Sequence, residues 1–279
     1  MQDEHTLYKK EKMLEEWLTA QGKVAVAYSG GVDSSFLLKT AQKMLGDRLL
    51  AVTARAVSFP ESELEEAARF AAAEGIRQLE FEIDQFSIDG FADNPADRCY
   101  LCKKVLLGRL KEIAAENGFL VVCEGSNADD ESDYRPGLRA IEELGIESPL
   151  KRFGFTRDEI RYCSEKMGLP TASKPSYACL ATRFVYGERI TGRKLAMAGD
   201  AEACLHRLGF SQLRVRMHGE TLARIEVPAE DLPRLLSLRP QITQAFRSIG
   251  FIYVTMDLDG YRTGSMNEAL ASCMPRTEH

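Results

Sequence analysis

A chain of 279 residues, 44% hydrophobic and 28% charged, can bury a substantial core and has the composition of an ordinary soluble globular protein. Its formal net charge of −6 offers no basic excess for counterion release, so nucleic acid is not an expected partner. No apolar run reaches the roughly 20 residues that span a bilayer, and the polar start Met1-Gln2-Asp3-Glu4-His5 lacks a signal-peptide core, so a cytoplasmic location is expected.

Lys23–Tyr28 reads as a buried strand, followed by a glycine turn and a helix from about Ser34 to Leu45. Arg48–Ala56, which carries Thr53, is a second strand. Glu61–Glu74 is an alanine-rich helix with Ser58 and Pro60 before it and Gly75 after it. Gln78–Asp84 alternates apolar and polar residues as a third strand. A helix runs from Cys99 to about Glu116 and stops at Asn117-Gly118, and Phe119–Cys123 is a fourth buried strand. This alternation predicts an α/β fold, an open, doubly wound parallel sheet with helices on both faces. After Gly187 the pattern changes. A helix at Arg193–Leu208, strands at Leu213–Met217 and Ala223–Val227, helices at Pro228–Leu238 and Gln241–Ile249 and a last strand at Phe251–Asp257 predict a smaller C-terminal α+β domain. The expected domains are residues 1–187 and 188–279.

Ser29-Gly30-Gly31-Val32-Asp33-Ser34 lies where the first strand turns into a helix. Two glycines let the backbone approach an anion, and the helix start turns N–H groups and the positive dipole end toward it. Ser29 and Ser34 add hydroxyls, and Asp33 suits a Mg²⁺ that bridges phosphate oxygens. The loop lacks the lysine of a Walker A motif. Two glycines alone would serve any tight turn. The whole SGGVDS string, however, resembles the signature of the PP-loop ATP pyrophosphatase superfamily, which cleaves ATP between its α and β phosphates.

The seven cysteines are odd in number and follow no signal peptide, which points to reduced thiols rather than a disulfide framework. Cys99 and Cys102, spaced i, i+3, face one side of a helix near its start. With Asn94 and Asp97 as candidate caps and Lys103 and Lys104 alongside, the thiolate form is favoured there. A lone CxxC is half of a zinc site, a redox pair or coincidence, and neither a second CxxC, an HxxxH nor a thioredoxin-type context accompanies this one. Cys179 lies in a loop-like stretch beside Arg183, as an exposed thiolate or as an inert loop cysteine. Three thiolates would leave one iron of a [4Fe–4S] cluster without a protein ligand, able to carry an extra sulfide. Cys123, Cys163 and Cys204 read as structural, and Cys273 belongs to a terminal tail.

Further strings accompany the phosphate loop: RCYLCKK at Arg98–Lys104, EGSNADDESDYRPG at Glu124–Gly137, KPSYACLATRFVYGERIT at Lys174–Thr191 and the LRVRMHG…ARIEV pattern at Leu213–Val227. Together they resemble the LarE family of ATP-dependent sulfur transferases over nearly the whole chain. The resemblance implies that a carboxylate of a pyridinium dicarboxylate mononucleotide is adenylated, with release of pyrophosphate. A sulfur nucleophile then displaces AMP and leaves a thiocarboxylate, destined for the nickel-pincer nucleotide cofactor of lactate racemase. ATP and Mg²⁺ are expected at Ser29, Gly30, Gly31, Asp33, Ser34, Thr53, Gly125, Ser126 and Asn127, the last three on the carboxyl edge after the fourth strand. An Asx-type turn is the alternative there. Asp129, Asp130, Glu131 and Asp133 fit either Mg²⁺ assistance or a solvated acidic loop. Arg183, Arg214 and Arg216 suit the substrate phosphate, with exposed strand charges the alternative for the latter two.

In one branch of the family the sulfur comes from a single sacrificial cysteine, matched here by Cys179. In the other, cysteines similar to Cys99, Cys102 and Cys179 hold a [4Fe–4S] cluster with a replaceable sulfide. All three are present, so the cluster version is expected. The family also implies a homohexamer built by the C-terminal domain. Two functions compete. A tRNA thiolase of the same superfamily predicts a basic surface and an added RNA-binding module, and a nucleotide-sensing module predicts no pyrophosphate release.

Overall fold

Helices and parallel strands alternate through the first part of the chain, because apolar strand segments buried on both faces need a helix over each. In the computed structural model, which describes residues 4–132, 136–175, 178–262 and 264–267, the chain forms two units. Met1–Ile88 with Cys99–Tyr177 make the first, and Asp89–Arg98 with Ala178–His279 the second. Asp133 and Cys273 lie outside the described residues.

The first unit runs α1 (Glu4–Gln21), β1 (Val24–Ala27), α2 (Val32–Leu45), β2 (Leu49–Arg55), α3 (Glu61–Ala73), β3 (Gln78–Glu82), α4 (Arg98–Glu116) and β4 (Val121–Cys123). Three short helices follow: α5 (Gly137–Glu143), α6 (Pro149–Arg152) and α7 (Arg157–Lys166). The four strands are parallel in the order β3-β2-β1-β4. Period-two alternation assigns β1 to two cores. Val24 and Val26 join Leu14 and Leu18 of α1, Phe36 and Leu37 of α2, Phe70 of α3 and Ile160 of α7. Ala25, with Leu50 and Val52 of β2, joins Leu107, Leu110 and Ala114 of α4. The sheet is therefore doubly wound, as expected. Helix α1 was not anticipated, although its Leu7, Leu14 and Leu18 stripe is a helical signal.

The order reverses between β1 and β4. Crossovers through α2 and α3 carry the chain one way along the sheet, and the crossover through α4 returns it to the other side of β1. The carboxyl ends of β1 and β4 thus sit side by side at the switch point, where open α/β sheets receive ligands.

The second unit contains α8 (Gly192–Arg207), β5 (Arg214–His218), β6 (Leu222–Glu226), α9 (Leu232–Ser237), α10 (Arg239–Ile249) and β7 (Tyr253–Met256). Strand β6 pairs antiparallel with β5 and parallel with β7. The helix expected from Pro228 starts as a 3-10 turn at Ala229–Asp231 and becomes α-helical only at Leu232. The unit begins at Ala178, ahead of Gly187, and takes in Asp89–Arg98. There the Asn94 side chain donates to the Val185 carbonyl at 2.7 Å and Ile190 N–H donates to the Ala92 carbonyl at 2.7 Å. Asn94 Oδ1, the atom that would cap α4, accepts from the Arg98 guanidinium. No helix among the described residues is long and apolar enough to cross a membrane.

Candidate active site

The loop between β1 and α2 is built for an anion. Gly30 adopts φ +74°, and a Cβ there would meet Ala67 Cβ of α3 at 2.9 Å, so only glycine fits. Gly31 is the N-cap of α2 and supplies no side-chain cap, which leaves the first N–H groups of the helix to a ligand. The Ser29 and Ser34 hydroxyls lie 3.1 Å apart, and Ser34 Oγ also donates to the Gly31 carbonyl at 3.2 Å. Behind the loop, Lys174 Nζ approaches the Gly30 carbonyl at 3.3 Å and pairs with Glu63 at 2.7 Å and Glu66 at 2.8 Å, tying the loop to α3.

The loop after β4 closes onto the same helix start. A Cβ on Gly125 would stand 3.0 Å from Ser34 N, so this glycine permits the close approach of the two loops. Asn127 Nδ2 donates to Asp33 Oδ2 at 3.1 Å. Burial pushes the Asp33 carboxyl up to about 6; the Asn127 amide works against that shift and the Asp130 charge adds to it. A partly desolvated carboxylate beside an anion site is a strong ligand for a divalent cation. Ser126 is fixed by a residue that sequence reasoning did not single out. Glu124, itself buried, accepts from Ser126 N–H at 3.0 Å, from Ser126 Oγ at 2.7 Å and from Ser148 Oγ.

The Thr53 hydroxyl donates to the Tyr28 carbonyl at 2.9 Å and accepts from Gln78 at 2.9 Å, so it ties β2 to the end of β1. Within the acidic stretch, Asp129 and Asp130 both have protein partners. Asp130 is buried and pairs with Arg157 at 2.9 Å, while Asp129 accepts from Arg157 N–H at 2.8 Å at the start of α7.

Cys99 and Cys102 lie on the first turns of α4, with Cys99 exposed and Cys102 partly buried. A Cβ on Gly137 would meet Lys103 Cδ at 2.7 Å and Cys99 Sγ at 3.2 Å, so the glycine lets α5 start hard against this face of α4. Gln85 Nε2 donates to Cys102 Sγ at 3.2 Å. An exposed sulfur beside one that accepts an N–H fits thiolates that hold an iron–sulfur group. No third His, Cys, Asp or Glu joins the pair within its own unit among the described residues. Lys104, expected to favour a thiolate, instead pairs with Glu143 at 2.8 Å. Cys123, Cys163 and Cys204 are buried, and burial holds the thiols of Cys123 and Cys163 well above their ordinary range.

In the second unit, Cys179 stands at the head of a 3-10 turn, Leu180–Arg183, and is partly exposed. Its carbonyl accepts from Thr182 N–H at 2.9 Å and from Thr182 Oγ1 at 2.8 Å. Arg183 is fully buried, with Nε and Nη2 on Glu202 at 2.7 and 2.9 Å and Nη1 on Thr182 Oγ1 at 2.7 Å. Arg214 and Arg216 are buried too, not exposed strand charges. Arg216 donates to Glu226 and Ser265 and, at 3.0 Å, to the Thr182 carbonyl. Arg214 stacks over Tyr261 at 5.3 Å, and burial followed by the neighbouring Arg183 charge holds its guanidinium below the ordinary arginine range. Arg183 and Arg216 therefore both hold the turn that carries Cys179, and Arg214 lies within the field of Arg183.

Comparison with known proteins agrees with this geometry. The asparagine synthase family model matches residues 11–92, which contain the phosphate loop and β1 to β3. An uncharacterised protein of Synechocystis sp., slr1717, is 39% identical over 95% of this chain and 99% of its own length. The pyridinium-3,5-bisthiocarboxylic acid mononucleotide synthase of Lactiplantibacillus plantarum is 36% identical over 98% of this chain and 99% of its own. An uncharacterised protein of Methanocaldococcus jannaschii, MJ0830, is 30% identical over 86% of this chain and 91% of its own. With end-to-end similarity to the synthase and an ATP-type loop at the switch point of its sheet, the chain belongs to the LarE family of ATP-dependent sulfur transferases.

Proposed function

We propose that this enzyme adenylates a carboxylate of a pyridinium dicarboxylate mononucleotide and converts it to a thiocarboxylate for a nickel-pincer nucleotide cofactor. The observation that carries the reading is the switch-point site, where the uncapped start of α2, the Gly125 loop and Asp33 meet. It is supported by likeness over 98% of the chain to a relative named for the bisthiocarboxylic acid mononucleotide.

The α2 N–H groups and the Ser29 and Ser34 hydroxyls bind the departing pyrophosphate of ATP, and Asp33 would hold a Mg²⁺ that, when bound, would neutralise phosphate charge. Substrate carboxylate oxygen attacks the α-phosphorus, the α–β bridging bond breaks, and an acyl adenylate and pyrophosphate result. Sulfide then attacks the acyl carbon and AMP leaves with its electron pair, so no redox partner is needed. Arg214 and Arg216 bind the mononucleotide phosphate in this scheme, and Arg183 holds the Cys179 turn through Glu202. Cys99, Cys102 and Cys179 are the proposed ligands of a [4Fe–4S] cluster, which when bound would supply the replaceable sulfide. The assembly is a homohexamer in the cytoplasm.

Pyrophosphate release measured with ATP, Mg²⁺ and the mononucleotide tests the first half. Release is expected only when the mononucleotide is present. Release that ignores it, or that requires tRNA, contradicts the proposal.

A further inference from the structure

Gln85 lies in the 3-10 turn after β3 and has no solvent exposure. Both ends of its amide are spoken for. Its Oε1 accepts the Ser58 backbone N–H at 3.1 Å, and its Nε2 stands 3.2 Å from Cys102 Sγ. A backbone N–H can only donate, so the amide cannot be turned over without opposing two donors. Its N–H must therefore point at the sulfur. Burying an amide at that place is costly unless both bonds are made. The neighbouring Cys99 is exposed and lies against Gly137 and Lys103.

We propose that Gln85 is a positioning residue that holds Cys102 Sγ as a hydrogen-bond acceptor, so that the two thiols of the CxxC pair are unequal and Cys102 is the sulfur set in place by the fold. The inference rests on the proposed cluster only in its consequence: an N–H aimed at a ligand sulfur stabilises the more negative state of an iron–sulfur group and so raises its reduction potential. Gln85 acts on the chemistry through Cys102, while its Oε1 anchors it to Ser58.

The test compares wild type with Gln85→Leu, which removes both bonds, and Gln85→Glu, which keeps the acceptor for Ser58 and places a carboxyl oxygen at the sulfur. Each protein is reconstituted anaerobically with iron and sulfide. Its reduction potential is read by spectroscopic titration, and cluster loss to a chelator is timed. Both variants are expected to have a more negative potential and to lose the cluster about tenfold faster, the scale of one charge-assisted hydrogen bond. Potential and loss rate equal to wild type in both variants overturn the inference.

A second readout needs no cluster. Maleimide labelling of the metal-free proteins at one pH, resolved by peptide, gives the ratio of Cys102 to Cys99 modification. A several-fold change in that ratio in the variants supports the inference, and an unchanged ratio overturns it. If wild type takes up no iron, the cluster proposal fails and this ratio still decides the role of Gln85. Gln85→Glu serves alone should the leucine variant not fold.

Discussion

At the scale of single residues, Asp33 shows how the site trades stability for ligand chemistry. Burial lifts its carboxyl from an ordinary 3.8 to about 6, so above that pH the fold carries a charge that the unfolded chain solvates better. Below 3.8 the carboxyl is protonated in both states and the penalty vanishes; it grows as pH rises and is complete above about 6. Asp33→Asn should therefore raise the stability of ligand-free protein by about 1–3 kcal/mol at pH 7.5, with the gain fading toward pH 4. Urea denaturation at the two pH values checks this. The same variant should release pyrophosphate about 100-fold more slowly, since it would lack the proposed Mg²⁺ ligand. Gly125 makes a different demand. A methyl group there would collide with the start of α2, so Gly125→Ala should weaken ATP binding about tenfold or more, measured by calorimetry, with little change in melting temperature.

Among elements, the turn Leu180–Arg183 and helix α8 are joined by the buried Arg183–Glu202 pair. Glu202→Gln would leave a buried guanidinium without its counter-charge, at a cost of about 3 kcal/mol read as a fall in melting temperature. It should also loosen the Cys179 turn, which hydrogen-exchange protection at Thr182 would report.

The strands of the first unit were legible because apolar runs, and in β3 a polar–apolar alternation, are separated by helical stretches, and the phosphate loop because glycines and hydroxyls follow a strand directly. Helix α1 went unseen although Leu7, Leu14 and Leu18 recur at helical spacing. Gln85 and Glu124 could not be recognised as site residues, since their roles come from burial and from partners brought by the fold. Asn94 was misread for the same reason: a residue with cap chemistry ahead of a helix turns its side chain to Val185, 91 positions along the chain. The arginines were legible as a group by charge, but only the structure showed them buried with Glu202 and Glu226.

For the whole molecule, the proposed reaction couples ATP activation to cysteine-borne sulfur. Strand order alone explains why ATP chemistry gathers at the carboxyl ends of β1 and β4. The cluster proposal makes the protein a carrier and not a consumed reagent. Intact mass of the polypeptide after anaerobic turnover with ATP, Mg²⁺ and the pyridinium mononucleotide tests this most directly. The account predicts a thiocarboxylate product, AMP and pyrophosphate, with the polypeptide mass unchanged. A polypeptide lighter by one H₂S, with dehydroalanine at Cys179, would contradict it.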